Sequence, residues 1–530
     1  MADGRFIPYC VNIRKIKRKN SKLIFHTIIF LILINFWSFQ ETSEIHLVLS
    51  GSGTGQPVIN GGFNPPPDEV WVNGEQKFDC SRLCDLTEDS SNIILKFNTQ
   101  LESCSNMFSN LNNLKEVDLS YFDSSKVSDM SLMFSASPYL EKVNFGNIDT
   151  SSVTNMVQLF SGCSSLKSLD LSNLVLSSVN NMFPMFNWCT NLEIIDFGNT
   201  NVASPTILQE TFRQCDKLVS LDLSHWDFSN VNTMELMFFS CDNLENVRFG
   251  SVNTPSPSIN MEKLFQQSPK IKSVDFSSLG NSKVLKLDYM FEGCPSLETV
   301  NFGNLDTSEV DNFNGFFCGC TSLVMMELNN FVTSSVTTME YMFKDCVNLK
   351  SLDLSTFDTT KVVSMSHMFY NCNSLVFLNL KSFLKNSLTN IENIFSELSD
   401  DIKFCINDVT TRNYLFSSYS GKNSICGDNC FNIENPKIDM TTKQCLNDCS
   451  ESEDNKYEYF NGCYNKCPQG TLLDDFHCSN NECKGKPDSD TCKDETPVGY
   501  YYDTDDQIYK NVMKNVTIVM EKEPKQIIIV

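Results

Sequence analysis

Phenylalanine recurs through most of this chain at a fixed interval. It stands at Phe108, Phe134, Phe160, Phe186, Phe212, Phe238, Phe265, Phe291, Phe317, Phe343, Phe369 and Phe395. Every step is 26 residues except Phe238 to Phe265, which is 27. A repeat of this length is the signature of a solenoid. It overrides the several globular domains that 530 residues would otherwise suggest, because a solenoid grows coil by coil without a wider core.

The clearest coil begins at Val336. Its apolar positions are Val336, Met339, Met342, Phe343, Cys346, Leu349, Leu352, Leu354 and Phe357. Around Leu352, Asp353 and Leu354 apolar and polar residues alternate, the period of a half-buried strand. From Met339 to Cys346 the spacing is three and four, which predicts one helical or 3₁₀ turn. Ser355 and Asp358 are turn formers. One coil thus reads as a strand, a turn and a short helical return. Burying a few inward side chains does not offset the entropy of ordering a whole coil, so coils must stack. Eleven stacked strands would form a parallel ladder roughly 50 Å long.

Some coils depart from the pattern. The LDLS segment degenerates to VNFG at Val143–Gly146 and Val300–Gly303. Pro205 interrupts one coil, and Pro255 and Pro257 accompany the single long step, which predicts a local bulge or a change of curvature there.

The F-x-x-C-x-x-L-x-x-L pattern, fullest at Met342–Phe369, resembles the treponemal-type, BspA-like leucine-rich repeat. It is similar to repeats of bacterial surface lipoproteins of mycoplasmas, lactobacilli and listeriae, and of surface proteins of parasitic protists. That resemblance implies a curved leucine-rich solenoid on a cell surface, with roles in adhesion, host contact or protein binding, and no catalytic activity. The fold class is therefore an α/β repeat solenoid of leucine-rich-repeat type with a parallel strand ladder, followed by a small disulfide-rich module.

Three columns are candidates for more than packing. Cys163, Cys189, Cys215, Cys241, Cys294, Cys320, Cys346 and Cys372 share one repeat position, with Ser137 and Ser268 in the same slot. Metal binding or a disulfide column is conceivable, but a buried column of small side chains is the reading adopted, since free cysteine is among the most buried residue types. Met130, Met156, Met182, Met234, Met339 and Met365 read as core, with Leu208 and Leu287 in the same position. The outward strand position holds Asp118, Asp170, Asp196, Asp222, Asp275 and Asp353, with Asn144, Asn301 and Asn379, Arg248 and Glu327 between them. Stacked like charges repel. The bland reading is a solvated face; the functional one is an acidic stripe for a basic protein patch or divalent cations. No cofactor is expected.

The flanks complete the organisation. Residues 1–22 read as a cytosolic basic segment, with Arg14, Lys15, Lys17, Arg18, Lys19 and Lys22 ahead of an apolar run. Residues 23–39 read as a cleaved signal peptide or an uncleaved signal anchor that ties the chain to the membrane. Either way the cysteines lie in an oxidising compartment. Residues 40–67 read as a Gly/Pro-rich linker, 68–100 as an N-terminal cap and 101–406 as the solenoid. Residues 407–496 form a cysteine-rich module, with Cys426, Cys430, Cys445, Cys449, Cys463, Cys467, Cys478, Cys483 and Cys492 as disulfide candidates. Their C-x3-C spacing does not suit zinc, and their connectivity is not readable from sequence. CPQGTLLDDFHC resembles growth-factor-receptor-type cysteine-rich modules. Residues 497–530 are a polar segment with the one N-x-S/T site, at Asn515.

A formal charge of −24 argues against nucleic acid as a partner, and five histidines leave little room for His-based catalysis. Nucleophile-elbow, P-loop, dinucleotide and metalloprotease motifs are absent from the sequence. The expected activity is non-enzymatic: a cell-surface or secreted protein that binds a protein or extracellular-matrix ligand, a basic one if the acidic stripe is the binding face. A structural coat or spacer protein is the alternative.

Overall fold

The computed structural model describes residues 43–419 apart from 199–201, 203–204, 254–256 and 401, and beyond these only the backbone of short strands. The segments read as signal or anchor and as glycosylation site, and the cysteine-rich module from residue 420 on, lie outside the residues so described. No helix among the described residues is long and apolar enough to cross a membrane.

The chain enters through a small antiparallel cap. β1 (Ser43–Ser50) alternates buried Ile45, Leu47 and Leu49 with half-buried Glu44, His46 and Val48. β2 (Gly53–Pro57), β3 (Glu69–Val72), β4 (Glu75–Gln76), β5 (Leu83–Leu86) and β6 (Ser90–Phe97) follow. Cys80 and Cys84 are joined by a disulfide. β1 pairs antiparallel with β6 on one side and with β7 (Leu114–Asp118), the first strand of the array, on the other. The stretch expected to be a linker is therefore part of the cap from Ser43 onward. Its glycines and prolines follow a strand whose period-2 pattern a composition reading passes over. Val58, Ile59 and Phe63 of the same stretch are buried.

From β7 the chain winds as a parallel β-solenoid. Its strand column continues through β8 (Lys142–Asn144), β9 (Ser168–Asp170), β10 (Ile194–Asp196), β11 (Ser220–Asp222) and β12 (Asn246–Arg248). A second short ladder pairs β13 (Ile259–Asn260) with β15 (Val284–Lys286). The main column resumes at β14 (Ser273–Asp275), β16 (Thr299–Asn301), β17 (Met325–Met326), β18 (Ser351–Asp353), β19 (Phe377–Asn379) and β20 (Lys403–Cys405). Partners sit one repeat apart, as Leu169 opposite Ile195 and Leu352 opposite Leu378. At the long step Arg248 pairs with Asp275, and the extra residue falls between Arg248 and the Thr233–Asn260 bridge.

The expected helical return does not form, so the solenoid is β rather than α/β. Two residues of each return are left-handed, Leu132 (φ 57°) and Ala136 (54°), then Gln158 (57°) and Gly162 (79°), through Asn393 (52°) and Glu397 (63°), except that Pro184 leaves its coil with Trp188 (63°) alone. Between them the amides alternate. Met133, Ser135 and Ser137 donate within the coil, to the carbonyls of Met130, Leu132 and Phe134. Leu132, Phe134 and Ala136 donate to the next coil, to Val157, Leu159 and Ser161. A helix would close all these bonds within one coil and leave no ladder to its neighbour. The left-handed conformation costs a non-glycine residue about 1–2 kcal/mol. The inter-coil bonds offset that cost, because a buried amide left unpaired is also expensive.

The phenylalanines at the centre of the return are buried and stack along the axis. Successive ring centroids are 5.2–6.0 Å apart, and the planes lie within 16° of parallel from Phe108 to Phe395. The 238–265 step stacks as well as the others, at 5.2 Å and 12°. The VNFG coils are a coherent variant rather than a decay of LDLS. Phe145 and Phe302 replace leucine and meet the ladder edge-on, against Phe160 and Phe317. Gly146 has φ +57°, and a Cβ there would come within 2.7 Å of the Ser120 Cα. At the far end α1 (Val409–Leu415), capped by Asp408, brings up Phe416 and Tyr419, which close over Phe395 and Phe404.

Candidate functional site

The three-residue strands of the column turn the middle residue inward and the last residue outward. Leu169 is buried and Asp170 exposed; Leu221 is buried and Asp222 exposed. The outward residues form one column, in which Asn144, Arg248, Asn301, Glu327 and Asn379 interrupt the aspartates. Their first duty is local. Oδ1 of Asp118, Asp170, Asp196, Asp222, Asp275 and Asp353 accepts from the backbone N–H two residues on, at Ser120, Ser172, Gly198, Ser224, Ser277 and Ser355. These Asx turns end each strand. Asn144, Asn301 and Asn379 make the same bond. A solvated face and an acidic stripe both leave out this role. Its signal was in the sequence, as D-x-S and N-x-G triplets at one repeat position.

The column is also less acidic than a list of its aspartates suggests. Asn144 donates through Nδ2 to Asp118 Oδ1 (3.1 Å), and Asn301 does so to Asp275 Oδ1 (3.0 Å). Arg248 pairs with Asp222 Oδ2 at 3.2 Å. These neighbours relieve the repulsion of stacked like charges. Partial burial pushes the carboxyls of Asp118 and Asp222 up. Hydrogen bonds from Ser120 and Asn144 in one, and from Ser224 with the Arg248 charge in the other, outweigh it and hold both below the ordinary carboxylate value. Asp170, Asp196 and Asp222 are a run of three exposed carboxylates on successive coils, the last of them paired with Arg248.

The cysteine column is internal. Each thiol is free and buried, and Cys163, Cys189, Cys215, Cys241, Cys294, Cys320, Cys346 and Cys372 donate S–H to the phenylalanine carbonyl 29 residues earlier, at 3.0–3.3 Å. Ser137 and Ser268 make the same bond with their hydroxyls, to Phe108 and Phe238. The slot wants a small side chain with one donor. Burial pushes the thiols of Cys189, Cys241, Cys294 and Cys372 up to about 12, so they stay protonated and unreactive. The methionine column is wholly buried.

Another column went unread. Thr150 and Thr307 are buried, and each hydroxyl donates to a carbonyl of the next coil (Val175, Val332) and accepts the N–H of the same residue. Among the described residues no group of three or more His, Cys, Asp or Glu side chains is placed to hold a metal ion. Cys426 to Cys492 and Asn515 lie outside the described residues.

No curated protein matches the chain in sequence. Among solved structures it is similar to a leucine-rich repeat protein of Bacteroides ovatus, at 16% identity and a TM-score of 0.39, covering 69% of this chain and 100% of that one. It is similar to a leucine-rich repeat protein of Leptospira interrogans, at 15% and 0.23, covering 61% and 93%. A third likeness is to a leucine rich cell surface protein of Faecalibacterium prausnitzii, at 14% and 0.20, covering 61% and 93%. One family model matches the array itself, over residues 102–217, 206–300 and 286–407, which together span more than half of the chain. The protein thus belongs to the family described as Mycoplasma protein of unknown function, DUF285.

Proposed function

We propose that this is a surface or secreted recognition protein that binds a macromolecule through the outward face of its strand column. The supporting observation is the contrast between the two sides of each strand. Inward residues are buried from coil to coil, whereas Ser168, Asp170, Ser220, Asp222, Asn246 and Arg248 stand exposed along the strand column. A stacked ladder of this kind offers an extended surface whose backbone is already ordered before binding. Its run of carboxylates at Asp170, Asp196 and Asp222 suits a basic patch on a protein or matrix ligand. The BspA-like resemblance of the repeat points the same way, toward adhesion and non-enzymatic contact.

Replacing Asp170, Asp196 and Asp222 together by Asn tests the reading cleanly. An Asn side chain still accepts the Asx-turn bond, so the fold is kept while the charge is removed. Binding of the full chain to cells and extracellular matrix is the measurement. The expected result is saturable binding that weakens in the variant and in high salt. Unchanged binding would remove the stripe from the reading, and no saturable binding to any target would favour a coat or spacer role.

A further inference from the structure

The outward face changes character toward its C-terminal end. The residue two before each Asx position points outward throughout: Ser168, Ile194, Ser220, Asn246 and Ser273 are all exposed, Ile194 at 60%. In β17, β18 and β19 the same position is shut off from solvent, with Met325 at 5%, Ser351 at 4% and Phe377 at 0%, and in β20 Lys403 is half-buried. Asn379, in the Asx column itself, is only 1% exposed. An outward side chain on an open sheet keeps water on its far side, as Ile194 does. A phenylalanine there with no exposure has something lying over it.

The chemistry of β20 says what. Its register sets Cys405 opposite Asn379, so Cys405 stands in the same outward column. Cys405 is buried and disulfide-bonded. Every other described cysteine is either free or part of the Cys80–Cys84 bridge, so its partner is a cysteine outside the described residues. The chain leaves the array at this end, and β21 (Ser424–Ile425) pairs in parallel beside β20. Cys426 is the next residue, the first of nine cysteines up to Cys492. Residues 1–42, with Cys10, join at the opposite end of the array, through β1.

We propose that the outward face of β17–β20 is the docking surface for the chain's own cysteine-rich segment after residue 420, fastened by the disulfide at Cys405. Met325 and Phe377 are the apolar contacts it covers. The face open to a partner then runs from β7 to β16, and it includes the Asp170–Asp222 run. The inference does not depend on what that open part binds.

Non-reducing peptide mapping of the full chain identifies the cysteine bonded to Cys405, and hydroxyl-radical footprinting reads the cover. The expected bond is to a cysteine between Cys426 and Cys492. Met325 should be oxidised as slowly as the inward Met342. Phe377→Lys, which puts a charge under the cover, should speed oxidation of Met325 several-fold and leave Met342 protected. A Cys405 bond to Cys10 or to a second copy of the chain overturns the proposal, as does oxidation of Met325 at the rate of free methionine. If the variant fails to fold, Met342 also loses protection, and the mapping and wild-type footprint decide alone.

Discussion

Phe343 shows how much one residue of a coil carries. Its ring stacks between Phe317 at 5.7 Å and Phe369 at 5.9 Å. Its N–H donates to Met368, and its carbonyl accepts from the Cys346 N–H and the Cys372 thiol. Phe343→Ala removes the ring from a closed stack, and a loss of about 3–5 kcal/mol is expected in denaturant unfolding. The cysteine slot is gentler. Cys346→Ser keeps a donor to the Phe317 carbonyl, as Ser137 does for Phe108, and should cost less than Cys346→Ala. The alanine variant forfeits about 1 kcal/mol with the bond. Asp288 runs the other way. Its side chain is buried, and Oδ1 has no hydrogen-bond partner among the described residues. Burial first, then the Glu262 charge, pushes its carboxyl up to about 6. A raised folded value means that its favourable contribution is present at low pH and lost as pH rises through 6. Asp288→Asn should therefore stabilise the protein by about 1 kcal/mol at pH 7, after discounting for solvent screening, with the gain vanishing near pH 4. Thermal melts of both proteins across that range are the check.

At the scale of the coil, register matters more than identity. Deleting one residue between Met342 and Cys346 would swap the amides that bond within the coil for those that bond to the next, and should unfold neighbouring coils. Deleting one residue from the stretch between Val252 and Ser258 returns the long step to 26 and should cost little. Circular dichroism and unfolding curves of the two deletions separate these outcomes. The period, the inward leucines and the outward aspartates were all legible in the sequence, because strand alternation repeats in every coil. The path of the return was not. Apolar residues spaced by three and four fit a helix equally well. The left-handed positions that rule a helix out are filled by Leu132, Trp188, Tyr289 and Tyr341 as readily as by glycine. Nothing in residue type marks them; stacking selects that conformation, since only it turns alternate amides toward the neighbour. The cap was missed for a different reason. β1 owes its order to β7, which lies more than sixty residues away in sequence, so local composition was the wrong guide.

Across the whole molecule, the forward direction of the return's bonds has an electrical consequence. Phe134 donates to Leu159, Phe160 to Met185 and Phe369 to Ile394, each toward the C-terminal end. On the strand side the bonds run both ways, as Leu119 to Asn144 and Glu141 to Lys115. Peptide dipoles that point one way add, as they do in an α-helix, and opposed ones largely cancel. One flank of the array is therefore a sheaf of parallel dipoles, positive near Phe395 and negative near Phe108. The backbone amide and side-chain amide of Asn60 meet that negative end, on the Met107 and Ser109 carbonyls. The protein is thus polar along its length whatever its side chains carry. An anion is favoured at the end where the cysteine-rich segment begins, and a cation at the end where the chain enters.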